Sequence, residues 1–265
     1  MIETLVPTSV ARRNLVAYRT IVRKEVRRFL RIWAQTIVPP VITMTLYLLI
    51  FGSLIGPRIG EMSGFRYMDY IAPGIIMMAI ITNSYSNVVS SFFSSRFQKH
   101  VEELVISPTP NVLILLGYVT GGVARGLSVG VAVTLVAMLL ADLRIHNLLV
   151  TVTVVALTAT LFSLAGFINA IYAKNFDDVS IIPVFVLTPL TYLGGVFYSI
   201  HLLPDLWQRV SMLNPILYMV NTFRYGILGV SDIGIGTAFA FILGFIALLF
   251  GVCLHLLNRG VGIRT

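Results

Sequence analysis

"LNPILYMVNTFRYGILG", Leu213 to Gly229, lies in a strongly apolar part of the chain yet carries Asn214, Pro215, Asn221 and Arg224. Whether it crosses a membrane decides the topology. Of the 265 residues, 57% are hydrophobic and 11% charged. Soluble domains hold about a quarter charged residues, so this balance is that of an integral membrane protein. The stretch from Tyr198 to Val230 is long enough to span. However, a central arginine costs roughly 2.5 to 3.5 kcal/mol on insertion scales, and a helix-interior proline costs about 3 kcal/mol. The sequence therefore predicts a broken, re-entrant pair of short helices over 198–230 that dips in from the outer face. Pro204 falls in its entry, Asn214 and Pro215 at its turn, and Arg224 near the interface or buried against protein.

Outward from this hairpin, a helix needs about 20 apolar residues to cross the hydrocarbon. Six segments qualify: Gln35 to Gly56, Tyr70 to Val89, Val112 to Leu140, Leu148 to Tyr172, Ile181 to Phe197 and Ile235 to Leu257. The fifth is short and carries Pro183 and Pro189, which predict bends. Before the first span, Leu15, Tyr18, Val22, Val26, Phe29 and Trp33 recur at three- and four-residue steps among eight basic residues. That pattern predicts an amphipathic helix lying in the cytoplasmic interface over residues 1–34. The spans occupy 35–257 and a short cytoplasmic tail 258–265, so the chain reads as a single membrane domain of all-α class. The N-terminal segment lacks a signal-peptide cleavage site and is expected to be retained.

Charge sets the orientation. With both ends cytoplasmic, the inside segments hold Arg12, Arg13, Arg19, Arg23, Lys24, Arg27, Arg28 and Arg31, then Arg96, Lys99, Lys174, Arg259 and Arg264. The outside holds Arg58, Arg66, Arg144, Arg209 and Arg224. This asymmetry favours the arrangement. The net charge of +8 is explained by anionic lipid headgroups, without a nucleic-acid partner. The single cysteine, Cys253, excludes a disulfide framework and reads as a small core residue.

Several motifs suggest function. "RFQKHVEELVISPTP", Arg96 to Pro110, follows the second span on the cytoplasmic face, with apolar residues between charges and two prolines that end any helix. It suits docking in a partner's groove, with Glu102, Glu103 and Leu104 as contacts; a solvated loop is the plainer alternative. In "TNSYSNVVSSFFSS", Asn83, Asn87, Ser90, Ser91 and Ser94 share a helix face that could line a route or pack helices together. Arg125 is the only basic residue inside a predicted span; it marks a site or snorkels to the headgroups. Tyr192, Phe197, Tyr198, Trp207, Tyr218 and Tyr225 surround the outer mouth, either as a cargo surface or as an interfacial belt. His100, His146, His201 and His255 are scattered, so no metal cluster or catalytic triad can be drawn. The chain lacks the Gly-rich loop with Lys-Ser/Thr that cradles nucleotide phosphates. Any ATP-driven step belongs to another polypeptide.

The sequence "FQKHVEELVISPTP" after the second span, "YLGGVFYSIHLLPDLWQ" at the end of the fifth and "LNPILYMVNTFRYGILG" before the sixth resembles the ABC-2 type permease family. The likeness covers essentially the whole chain. It is strongest to the branch containing nodulation-factor and daunorubicin exporter permeases and YadH-type inner-membrane permeases. The resemblance implies six transmembrane helices, an N-terminal interfacial helix, a cytoplasmic coupling helix and a re-entrant hairpin. It also implies two such subunits paired with two ATPase subunits that carry ATP and Mg, exporting an amphiphile, drug or glycan. On this reading the chain is no enzyme. An ATP-independent channel or lipid flippase is the alternative and predicts flux without nucleotide. An integral membrane transferase is disfavoured, because clustered carboxylates or histidines are missing.

Overall fold

The computed structural model describes residues 9–101 and 107–261. Among them, five helices are long and apolar enough to cross a membrane. The N-terminal α1 (Val10–Arg31) begins at Ser9, whose Oγ accepts from the Arg12 N–H at 3.3 Å, and ends on Arg28 and Arg31 beside its exposed carbonyls. Next, α2 (Trp33–Ile59) is interrupted at Ile37, ahead of Pro39 and Pro40, and runs through a π-helical stretch at Leu48–Ile55. A two-stranded hairpin, Glu61–Met62 paired with Phe65–Arg66, follows. Ser63 and Gly64 turn it with φ of 52° and 83°, the left-handed pair that tight hairpins require.

At the centre lies α3 (Tyr67–Phe97), nearly all of whose side chains are buried. It packs most extensively on α5 (Leu148–Tyr172) and α4 (Asn111–Leu140). At 1.5 Å per residue, α3 and α4 are each about 45 Å long, roughly 15 Å more than a hydrocarbon core. Helix α1 lies across α4.

The predicted fifth span differs in its limits. Helix α6 (Phe176–Ile182) continues through a π-helical stretch, Pro183–Leu187, into α7 (Thr188–Tyr192). It therefore starts five residues before Ile181 and ends five before Phe197. Asn175 starts it early: its Oδ1 accepts from the Asp178 N–H at 2.8 Å, and Asp177 and Asp178 sit in the first turn, where the helix end is positive. The predicted hairpin is α8 (Asp205–Met212) and α9 (Pro215–Leu228), broken at Asn214. The last helix, α10 (Ile235–Arg259), closes against α5 and α9.

The core divides in two. One apolar cluster surrounds Ile71, Ile75, Met219 and Phe223; the other surrounds Phe92, Tyr118, Phe167, Cys253 and Leu257.

Candidate functional site

Between these clusters lies a polar seam built by α1, α3 and α4. Helix α1 docks through Ile21, Glu25 and Phe29, spaced four apart on one face. Glycine admits this approach: a Cβ on Gly121 of α4 would stand 2.5 Å from Glu25 Cβ. Glu25 is fully buried. Ser91 Oγ donates to its Oε1 at 2.8 Å, Lys24 Nζ lies 3.5 Å from Oε1, and Arg28 Nε lies 3.6 Å from Oε2. Arg28 Nη2 also donates to the carbonyl and Oδ1 of Asn87, at 2.9 and 2.8 Å. These partners offset the cost of taking a carboxylate out of water. One turn deeper, Arg125 Nη2 donates to Asn83 Oδ1 at 3.2 Å. Asn83, Asn87, Ser91 and Arg125 are thus brought together, and Arg125 reaches across to α3. The sequence reading missed Glu25, Lys24 and Arg28 as members of this seam.

Deeper still, Gly122 and Gly126 of α4 press on Ser163 of α5 and Ser84 of α3. The hydroxyls of Ser84, Ser163 and Thr158 and the amide nitrogen of Asn87 are buried without a hydrogen-bond partner among the described residues.

Beyond the end of α3, Glu102, Glu103 and Leu104 lie outside the described residues. The segment leading to them is anchored. Arg96 donates from Nη1 and Nη2 to the carbonyls of Ile171 and Ala173, which α5 leaves without helical donors. Lys99 turns the chain at φ 62°, and Val101 is buried in the second cluster. After the gap, Asn111 Nδ2 donates to Asn258 Oδ1 of α10 at 2.8 Å.

At the opposite end, the hairpin is fixed by side chains that the sequence singled out. Pro204 occupies the N-cap position of α8. Asn214 Oδ1 accepts from the Ile216 N–H at 3.0 Å, capping α9, while its Nδ2 donates to Leu190 O at 2.6 Å. Pro215 fills the first position of α9, where its missing N–H costs nothing. Arg224, 1% exposed, donates from Nη2 to Gly195 O at 2.6 Å and from Nε to Tyr70 O at 3.3 Å. Its guanidinium stacks on the Tyr70 ring at 4.0 Å. Arg224 thereby ties α9 to α3 and to the turn after α7. Gly74 of α3 permits the same closure, since a Cβ there would meet Val196 O at 2.5 Å. Nearby, Asp232 Oδ2 accepts from Ser199 Oγ at 2.9 Å. Below the β-hairpin, Arg66 pairs with Asp69 at 2.8 Å, and this hydrogen bond with its charge holds the Arg66 pKa above the ordinary value.

The aromatic set disperses. Tyr192 and Phe197 join Tyr47 and Phe51 of α2, with ring centroids 4.8 to 6.1 Å from Phe197. The Tyr47 and Tyr192 hydroxyls meet at 3.3 Å on the exposed side. Tyr218 instead stacks on Phe241, Tyr225 meets His146, and Tyr198 stands outside the cluster, half-buried, with its phenol pKa raised by that burial. Tyr47 and Phe51 were invisible as partners because only the fold brings α2 beside α7. Among the described residues, no group of three His, Cys, Asp or Glu side chains is placed to hold a metal ion.

Residues 16–228 match the ABC-2 type transporter family. The chain is 54% identical over 250 residues to the inner membrane transport permease YadH of Escherichia coli strain K12, covering 94% of this chain and 98% of that protein. The YadH permease of Shigella flexneri matches equally. Nodulation protein J of Rhizobium meliloti is 23% identical over 192 residues, 72% of this chain and 73% of that protein. A multi-pass apolar helical chain with likeness of this extent belongs to the ABC-2 type transporter family.

Proposed function

We propose that this permease is the membrane subunit of an ABC exporter of the bacterial inner membrane. It works as a homodimer with two copies of a separate ATPase that holds ATP and Mg, and it moves an amphiphilic, drug-like or lipid-linked glycan cargo outward. In this reading α6 and α7 with their π-helical join form the fifth of six crossings, the α8–α9 hairpin re-enters from the outer face, and both termini are cytoplasmic. The Phe176–Tyr192 run is about 25 Å long, which suits a thin or locally pinched bilayer.

The observation that carries the proposal is the face shared by α2 and the α6–α7 run. Both are interrupted by π-helical stretches, a feature frequent at functional sites. Both leave large apolar side chains outside, among them Ile50 and Leu54 on α2 and Val184 and Phe185 on the other. Their meeting point carries two tyrosine hydroxyls, which are costly to expose to lipid and useful to a polar cargo group. Apposing two copies through this face encloses a route that a single six-helix subunit cannot.

Phe185, 73% exposed, tests the dimer. In a Cys253→Ser background, Phe185→Cys is expected to cross-link to itself in membranes, whereas Leu139→Cys, 84% exposed on α4, is not. Cross-linking at Leu139 alone would reject this face. For the partner, Glu102→Ala with Glu103→Ala and Leu104→Ala should reduce ATPase recovery and cargo-stimulated hydrolysis. Leu104 should dominate, because a buried anchor contributes roughly 2 kcal/mol or more and an exposed ion pair at most about 1. Unchanged recovery would move coupling to the loop at Lys174 to Asp178. Flux that persists with an inactive ATPase would favour the channel reading.

A further inference from the structure

Helices α4 and α5 frame a groove that the transport reading leaves unused. Its floor is Ile76 and Ile80 of α3 with Phe223 of α9, all at most 2% exposed. Its rim is exposed: Val131 and Met138 on one side, Val152 on the other. Gly130 opens it, for a Cβ there would stand 2.7 Å from Ile80 and fill the floor. Two threonines face the groove, but neither offers it a hydroxyl. Thr134 Oγ1 donates to Gly130 O at 2.7 Å and Thr151 Oγ1 to Asn147 O at 2.8 Å, each back-bonding to its own helix and turning its methyl outward. The walls therefore present carbon alone.

The groove encloses about 200 Å³. An apolar cavity of about 150 Å³ stays dry and accepts benzene, so water is a poor occupant here. From Leu127 to Met138 the walls run along α4 for about 16 Å, the length of a stretched acyl segment and only one chain wide. At the end of the groove, Leu143 and Ile145 are lining residues, and Arg144 lies between them in the chain, beside the lining rather than within it. Its side chain is 87% exposed, and its one ion-pair partner among the described residues, Asp142 at 3.4 Å, is itself 62% exposed. The pair is too solvated to consume the arginine's charge. Carbon walls opening to hydrocarbon, with a cation at the headgroup end, are the two halves of a lipid site.

We propose that the α4–α5 groove binds one anionic phospholipid, with an acyl chain along Gly130 and the phosphate on Arg144. The inference rests on the chain's residence in a membrane and is independent of export. In the proposed orientation the lipid belongs to the outer leaflet.

Native mass spectrometry of the purified full-length protein tests it, with phosphatidylglycerol or phosphatidylcholine of matched chains added to delipidated samples. One retained phosphatidylglycerol per chain is expected, in preference to phosphatidylcholine. Arg144→Ala should remove that preference, lowering phosphatidylglycerol retention about fivefold, the weight of one interfacial cation. Gly130→Leu should abolish retention of both lipids. Where that variant fails to fold, Val152→Trp, which covers the groove from the exposed rim, decides instead. Equal retention of the two lipids by the wild type, or retention unchanged when the groove is blocked, overturns the proposal. A co-purified amphiphile other than phospholipid that the same variants release would assign the groove to cargo and overturn it equally.

Discussion

Glu25 offers the sharpest test of the seam. Replacing it with alanine removes the carboxylate that receives Ser91 Oγ at 2.8 Å, a charge-assisted bond of about 1.5 to 3 kcal/mol. Arg28 then loses its carboxylate but keeps both contacts to Asn87, and its side chain is 32% exposed. Its stranding therefore costs less than the 3 to 5 kcal/mol seen, roughly, when one partner of a fully buried pair is removed. Lys24, half exposed, adds at most about 1 kcal/mol. The sum is about 3 kcal/mol for Glu25→Ala. Glu25→Gln keeps an oxygen for Ser91 and loses only the charge, about 1 to 2 kcal/mol.

At roughly 2 to 4 °C per kcal/mol for a chain of this size, the alanine variant should melt about 6 to 12 °C early and the glutamine variant about 2 to 8 °C early. The measurement is the folded fraction by size-exclusion chromatography after heating in one fixed detergent. Ser91→Ala completes a double-mutant cycle, and a coupling of about 1.5 kcal/mol is expected for groups in direct contact. Additivity within about 0.5 kcal/mol, or an alanine variant that melts with the wild type, would refute the assignment of Glu25 as the clamp.

Three further outcomes follow from the geometry. Gly121→Ala should push α1 away from α4, because the new methyl meets Glu25 Cβ; a destabilisation of about 1 to 3 kcal/mol is expected in the same melting assay, and none should appear if α1 docks elsewhere. Arg224→Leu strands the carbonyls of Gly195 and Tyr70, at about 1 to 3 kcal/mol each, so limited proteolysis of the Gly195–Pro204 turn should accelerate; an unchanged cleavage rate would show that the hairpin is held without it. Asn214→Leu with Pro215→Leu removes the cap of α9 and its pre-set first turn and should impair export, whereas full activity at normal expression would make the break incidental.

The helical class and the helix break at Asn214 were legible because hydrocarbon penalises Pro, Asn and Arg heavily enough to mark them in a single sequence. Four spans were found within a few residues of their helices by length and apolarity. The second was truncated at Val89, however, because the last turns of its helix are rich in serine and fail a test by apolarity. The limits of the fifth failed for a related reason. Hydropathy rejects Asp177 and Asp178, although Asn175 followed three residues later by Asp178 is a helix-start pattern. The α1 stripe was misplaced by part of a turn. Counting apolar residues selected Val22 and Val26, which are only partly buried, and passed over Ile21 and Glu25. A signal for Glu25 existed, since it is the only acidic residue in a helix otherwise full of arginine. Reading it required the partner, Ser91, which lies 66 positions away.

One element touches both candidate regions. Helix α3 holds Ser91 and Asn87 against α1 at one end, and presents the Tyr70 ring and carbonyl to Arg224 at the other. From Asn87 to Tyr70 it is a continuous, largely buried helix, with Pro73 removing one backbone donor near its start. Its contacts to α1 and α4 sit at the seam, where glycines bring the helix backbones close. In the proposed exporter, a displacement delivered to α1 by the cytoplasmic partner therefore passes through Glu25 to Ser91. It then travels along α3 to the one arginine that pins the outer hairpin.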